Sequence, residues 1–146
     1  MKVTVAWAGK TKEAAIRELT SEYLKRAGRY VSVEGKEAAD EAAILKLASK
    51  SGRTAPVLIL LDSRGKQYTS EEFAALLRQH QERGTQELIL AIGPSDGWSE
   101  EARETAKTTM SLGKMTLPHE LARVVLLEQL YRGLTILAGH PYHSGH

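Results

Sequence analysis

The 146-residue chain contains no cysteine, which removes disulfides, thiolate metal sites and covalent cysteine catalysis together. No window holds the roughly 20 uninterrupted apolar residues needed to cross a bilayer. The start, Met1-Lys2-Val3-Thr4-Val5, passes straight into an alternating strand and lacks the apolar centre and cleavage site of a signal peptide. A cytoplasmic protein with no membrane partner is the resulting expectation. Formal charge is only +2, so no broad electrostatic excess announces a nucleic-acid partner. Lys25, Arg26 and Arg29 cluster, Arg64 and Lys66 share a loop, and Arg123 and Arg132 are the only Lys or Arg on the last long helical stretch. Taken singly, each reads as solvated surface charge. Internal repeats, low-complexity tracts and linkers are also missing. With 42% hydrophobic residues, residues 1–146 are expected to form one domain.

What is present is an alternation of strand and helix signals. Residues 2–8 alternate as a strand, and 11–27 read as a helix with Ala14, Ala15, Leu19, Tyr23 and Leu24 at helical intervals, closed by Gly28. A short strand is predicted over 30–33 and an alanine-rich helix over 37–49, ending near Gly52. The continuous apolar run 56–62 implies a strand buried on both faces, as in a parallel sheet covered by helices. Residues 63–66 make a turn. Thr69 or Ser70 caps a helix running to about Arg83 and Gly84. A second buried strand, 88–92, leads into Gly93-Pro94-Ser95-Asp96-Gly97-Trp98, after which Ser99 caps a helix through about Lys107. This order predicts an α/β fold with a mostly parallel sheet. Ligands bind such sheets outside the carboxyl ends of the strands. Three of those ends, 61–66, 93–98 and 112–117, are rich in glycine or polar groups and form the expected site.

The stretch 110–143 is the chain's centre of gravity. After the short apolar segment with Met110, Leu112 and Gly113 comes Lys114-Met115-Thr116-Leu117-Pro118, with Pro118 suited to a helix start. Leu121, Val124, Val125, Leu127, Leu130, Tyr131, Leu134 and Ala138 then keep helical spacing. Leu126, Ile136 and Leu137 fall outside that stripe, so a second covering surface is expected, such as the sheet plus a second subunit. The segment ends in Gly139-His140-Pro141-Tyr142-His143, and four of the five histidines lie between His119 and His146.

Gly93 and Gly97 allow close approach of a ligand, although a tight strand-to-helix turn explains them as well. The loop lacks the G-x-G-x-x-G and G-x-x-x-x-G-K-[ST] patterns, which argues against nucleotide-phosphate binding. Leu112, Met115 and Leu117 around Gly113 suggest an apolar slot for a flat aromatic base. His140 and His143 are a conceivable metal pair, but no acidic residue is nearby and Pro141 prevents a helical two-ligand arrangement, so no metal is expected. His119 reads equally as a base, a ligand or a partly buried ring. Trp7 and Trp98 read first as packing.

Glu22-Tyr23-Leu24-Lys25-Arg26, Leu60-Leu61-Asp62, Ile92-Gly93 with Gly97, Leu112-x-x-Met115-Thr116-Leu117-Pro118-His119, Glu128-Gln129-Leu130-Tyr131-Arg132 and His140-Pro141-Tyr142-His143 occur in this order. Together they resemble the bacterial large-subunit (23S) rRNA (pseudouridine-N3)-methyltransferase family H, of the SPOUT superfamily. The resemblance spans nearly the whole chain and is strongest from Leu88 onward. It implies a SPOUT-type parallel sheet flanked by helices with a C-terminal trefoil knot, an exception to the rule that chains do not knot. It also implies a homodimer packed through the last helix, a ribosomal large-subunit rRNA substrate, and S-adenosyl-L-methionine (S-adenosylmethionine) as cofactor. By position, Leu61, Gly93, Leu112, Gly113, Lys114, Met115, Thr116 and Leu117 would contact the cofactor. Catalytic candidates are Tyr142, His143 and His140, with His119 behind them; Tyr142 could instead stack on the target base. Arg123 and Arg132 would contact RNA phosphate or orient the tail. Two departures stand out: Pro94 replaces a second glycine and removes an N–H, and Ser144-Gly145-His146 replaces the usual basic residue after the tail motif.

The implied reaction transfers a methyl group from a sulfonium to N3 of a pseudouridine, and the absence of cysteine closes a covalent route. Without an appended RNA-binding domain, recognition would rest on the dimer surface and the ribosomal setting. The alternatives are a SPOUT methyltransferase for another rRNA uridine or for tRNA, a ribosome-binding or assembly protein without catalysis, and a purely structural knot.

Overall fold

A computed structural model describes residues 1–49, 55–106 and 108–144. Five strands, β1 (Lys2–Ala8), β2 (Ser32–Ala38), β3 (Val57–Gln67), β4 (Glu87–Ile92) and β5 (Thr108–Ser111), form one sheet in the order β2-β1-β4-β3-β5. Every pairing is parallel, and the helices follow the strands as α1 (Ala14–Ala27), α2 (Glu41–Ala48), α3 (Ser70–Glu82), α4 (Glu100–Ala106) and α5 (His119–Ala138). The period-2 pleat sorts the apolar residues into two layers. Val3, Val5, Trp7, Leu88, Leu90 and Ile92 meet α3 and α5 on one face, while Ala6, Ala8, Ile89 and Ala91 meet α2 and α4 on the other. The first half of β3, 57–61, is therefore apolar, as the run 56–62 predicts.

The elements differ from the sequence expectation in three places. Strand β2 is longer and later than 30–33, and it takes Glu37 and Ala38 away from the predicted helix, which begins at Glu41 behind its Asp40 cap. It is an edge strand paired only to β1, and its alternating exposure permits the polar sequence SVEGKEA. The predicted turn at 63–66 is an excursion within β3: Leu61 and Lys66 both register with Met110, and a Cβ on Gly65 would lie 2.6 Å from the Met110 amide nitrogen. Of the apolar positions chosen for α1, Tyr23 and Leu24 pack against the core, whereas Ala14, Ala15 and Leu19 are exposed and the buried residues are Thr20 and Ala27. The predicted ends at Gly52 and Lys107, and residues Gly145 and His146, lie outside the described residues.

Helix α5 packs between α1 and α3 over the sheet. Leu126, which falls outside the predicted stripe, is fully buried, so neighbouring helices supply part of the extra covering expected for this segment. Among the described residues no helix is long and apolar enough to cross a membrane.

Candidate active site

The carboxyl ends of β3, β4 and β5 converge on a cleft of about 740 Å³, a size suited to a cofactor. Leu61, Gly93 and the run 112–117 border it, except Lys114, which is exposed and does not line it. Three loops distant in sequence are thereby brought together by parallel strand order.

The indole of Trp98 joins two of them. Its Nε1 donates to the Leu61 carbonyl at 2.8 Å, and its ring lies against Gly93, where a Cβ would come within 2.7 Å of Cε2. Gly93 is thus required by a tryptophan packed behind the cleft wall, a reason that the glycine spacing alone does not reveal. Pro94 closes the following turn through its carbonyl, which accepts from Gly97 N at 2.9 Å. The missing proline N–H leaves that turn intact. In the third loop Gly113 has φ of +139°, a conformation that favours glycine, and Ser111 Oγ both accepts from Gly113 N (3.1 Å) and donates to Gly113 O (2.8 Å). Leu112 and Leu117 are half-buried on this loop, whereas Met115 is 86% exposed.

On the cleft wall Asp62 and Arg103 are paired, while Asp96 is exposed. Asp62 accepts from Arg103 Nε and from the Arg64 amide, and both arginines also reach Glu100. Burial pushes the Asp62 carboxyl up, but the Arg103 guanidinium and the Arg64 amide outweigh it and hold the group below its usual value. His119, at the start of α5, borders the cleft and holds Nε2 3.1 Å from the Ala8 carbonyl. A carbonyl only accepts, so Nε2 carries a proton and Nδ1 is the basic nitrogen.

The C-terminal candidates lie elsewhere in the same protomer. Residues Pro141–His143 form a 3-10 turn that folds back along α5. The Tyr142 hydroxyl donates to Glu128 Oε2 at 2.8 Å, and its ring packs edge-on to Tyr131 with centroids 4.5 Å apart. Arg132 donates to the same Glu128 oxygen at 2.6 Å and sits 5.2 Å from the Tyr142 ring centroid. Burial, followed by the Glu128 carboxylate, pushes the Tyr142 phenol far above its ordinary value. It is therefore a neutral donor and not a base. His140 uses Nδ1 to accept from the Tyr142 amide at 3.1 Å, while His143 Nδ1 is buried without a hydrogen-bond partner among the described residues. None of these residues borders the cleft. Glu128 and Tyr131 lie more than two turns beyond His119, roughly 14–18 Å along the helix axis at about 1.5 Å per residue.

Arg123 departs from the sequence expectation of an RNA contact. It is fully buried, its guanidinium lies 4.0 Å from the Trp7 ring centroid, and Nη1 donates to Thr11 Oγ1 at 2.7 Å. With no surface exposed, the side chain is positioned to hold Thr11 and Trp7 and not to meet phosphate from solvent. Glu128 was not singled out as a site residue from the sequence, although its i,i+4 spacing to Arg132 is a readable signal. Among the described residues, no group of three His, Asp or Glu is placed to hold a metal ion.

Comparison with known proteins agrees with this geometry. A family model described as "Predicted SPOUT methyltransferase" matches residues 1–143. The chain is 64% identical over 146 residues to the ribosomal RNA large subunit methyltransferase H of Koribacter versatilis, covering 100% of both chains. It is 43% identical to the protein of that name from Geotalea daltonii, covering 98% of this chain and 99% of the relative. A Legionella pneumophila chain described as a methyltransferase in complex with the bound cofactor SAM shares the fold at TM-score 0.51 and 16% identity. The match covers 89% of the present chain and 65% of the Legionella chain.

Proposed function

We propose, on the premise that this chain belongs to the SPOUT methyltransferase family, that it methylates large-subunit ribosomal RNA at N3 of a pseudouridine, with S-adenosylmethionine as methyl donor. The observation that carries this reading is the convergence of 61–63, 92–98 and 111–119 on one cofactor-sized cleft. The residues fit the donor: Leu112 and Leu117 offer an apolar slot for adenine, and the polar turn 93–97 offers backbone groups beside it. When bound, S-adenosylmethionine supplies an electrophilic methyl group on a sulfonium. The chain's own task is then to seat the nucleoside and accept the N3 proton.

Two protomers are needed for that task, because the tail and the cleft do not meet within one. We read the molecule as a homodimer in which the tail of one protomer completes the cleft of the other. Leu19 and Leu121, 41% and 42% exposed on α1 and α5, support an apolar contact there. In that assembly Tyr142 donates a hydrogen bond or stacks, Arg132 holds it through Glu128, and His143, His140 or His119 through Nδ1 takes the proton. The segment 112–118 that returns the chain to α5 is read as part of a C-terminal trefoil knot. A ribosomal substrate supports a cytoplasmic location.

Transfer of labelled methyl from S-adenosylmethionine to ribosomes lacking the modification tests the reading, with free rRNA and tRNA alongside. Label on pseudouridine N3 in large subunits is the expected result. Label confined to tRNA, or none anywhere with intact cofactor binding, would overturn it.

A further inference from the structure

A second chamber of about 610 Å³ opens at the carboxyl ends of β1 and β2. It shares the wall 94–98 and the His119 ring with the cofactor cleft, so the two spaces are contiguous. Resting on the RNA-methyltransferase reading, we propose that this chamber binds backbone phosphate of the RNA strand flanking the target nucleoside, through Lys10 and Lys12.

The charge inventory points to these lysines. Arg64 and Arg103 are paired with carboxylates at the cleft, Arg132 is held by Glu128, and Arg123 is buried. Lys10 and Lys12 border the chamber, are exposed, and their side chains have no partner among the described residues. Of the three carboxylates that line the chamber, Asp40 and Glu41 are engaged by N–H and O–H donors, and the third, Asp96, is exposed on the wall 94–98. Asp40 accepts from Ala43 N at 2.9 Å, and Glu41 accepts from Ser99 N and Oγ at 2.7 and 2.6 Å. Two exposed ammonium groups, neither held by a carboxylate among the described residues, suit phosphate, which lysine binds as a point charge.

The loop bearing the lysines is also held by several hydrogen bonds. Glu120 Oε1 accepts from Lys12 N at 2.6 Å, Arg17 Nη2 donates to Thr11 O at 3.0 Å, and Glu37 Oε1 accepts from Thr11 N at 3.2 Å. The buried Arg123 adds its bond to Thr11 Oγ1 while its Nε and Nη2 have no partner among the described residues. A loop needed only as a connection between β1 and α1 does not call for a buried guanidinium. Fixing the backbone lowers the ordering cost of placing both ammonium groups against a ligand.

The test compares the wild-type protein, K10Q/K12Q and K10R/K12R. Binding to large subunits lacking the modification is measured across a salt series, with methyl transfer and S-adenosylmethionine affinity in parallel. K10Q/K12Q should weaken subunit binding at least tenfold and make the salt dependence shallower by about one unit of log–log slope, near the value for one or two single-strand phosphate contacts. Its cofactor affinity should stay within twofold, and K10R/K12R should restore subunit binding. Unchanged subunit affinity and salt slope would overturn the proposal. So would a tenfold loss of cofactor affinity, which would assign the chamber to the methyl donor. A wild-type protein that binds subunits but transfers no label defeats the methyltransferase reading, and the binding comparison still decides the role of the lysines. No subunit binding by the wild type overturns both.

Discussion

At the scale of single residues, Gly93 and Tyr142 show how packing assigns roles. Gly93→Ala forces a Cβ into the Trp98 ring, which has to shift and strain its bond to Leu61. A loss of about 1–3 kcal/mol, typical of overpacking, is expected in thermal unfolding, with cofactor affinity by calorimetry falling at least tenfold. Tyr142→Phe removes the hydroxyl's hydrogen bonds, to Glu128 and toward Tyr23, but keeps the ring, and should lower turnover modestly. Tyr142→Ala also removes the ring and should cripple transfer without loosening the cofactor. Because the phenol pKa is raised, its neutral form persists as pH climbs through 10. A pH–rate profile for the wild type should therefore show no Tyr142 step there; a step that disappears in Tyr142→Phe would restore the phenolate as base. The sequence identified both residues as site candidates, but Gly93's contact with Trp98 and Tyr142's contact with Glu128 arise only after the chain has folded back on itself.

At the scale of elements, local signals were readable where they act locally. Thr69 accepts from Glu72 N at 3.0 Å and its own amide donates to Glu72 Oε1 at 2.8 Å, a reciprocal capping box at the start of α3. Thr69→Ala should cost about 1 kcal/mol, measured as a shift in the urea midpoint with unchanged slope. The buried strands β3 and β4 were equally legible, since burial on both faces leaves an apolar run. Strand β2 was harder to place: its edge position lets solvent take one side, and its polar residues resemble a helix start. Helix α1 was legible in part: Tyr23 and Leu24 pack on the core, while Ala14, Ala15 and Leu19 at helical spacing face away from it. Arg123 was hidden for the opposite reason, as a charged residue ordinarily signals a surface and here the Trp7 ring and Thr11 receive it.

At the scale of the whole molecule, the distance between tail and cleft yields a decisive mixing experiment. Protomers disabled in the cleft by Gly93→Ala and protomers disabled in the tail by Tyr142→Ala should regain transfer when recombined as heterodimers, since the proposed homodimer would then hold one intact site across its interface. No recovery in heterodimers verified by mass would place tail and cleft in the same protomer. Stability should also depend on pH through His80, a buried ring whose Nδ1 lies 3.0 Å from Thr85 Oγ1. Burial, then Arg83, lowers its pKa from the ordinary 6.5. The unfolded chain therefore takes up the proton first as pH falls, so this stabilisation is complete above about 6.5 and declines below it. The melting temperature should drop on acidification through that range, and His80→Gln should flatten the drop. The sequence by itself determined the alternation of strands and helices, the three polar loop ends and the family motifs, because pattern, capping and composition act over a few residues. Only the tertiary structure decided that the loops share one cleft, that Arg123 is interior and that the tail sits away from the cleft, because these depend on strand order and on contacts between residues up to 112 positions apart.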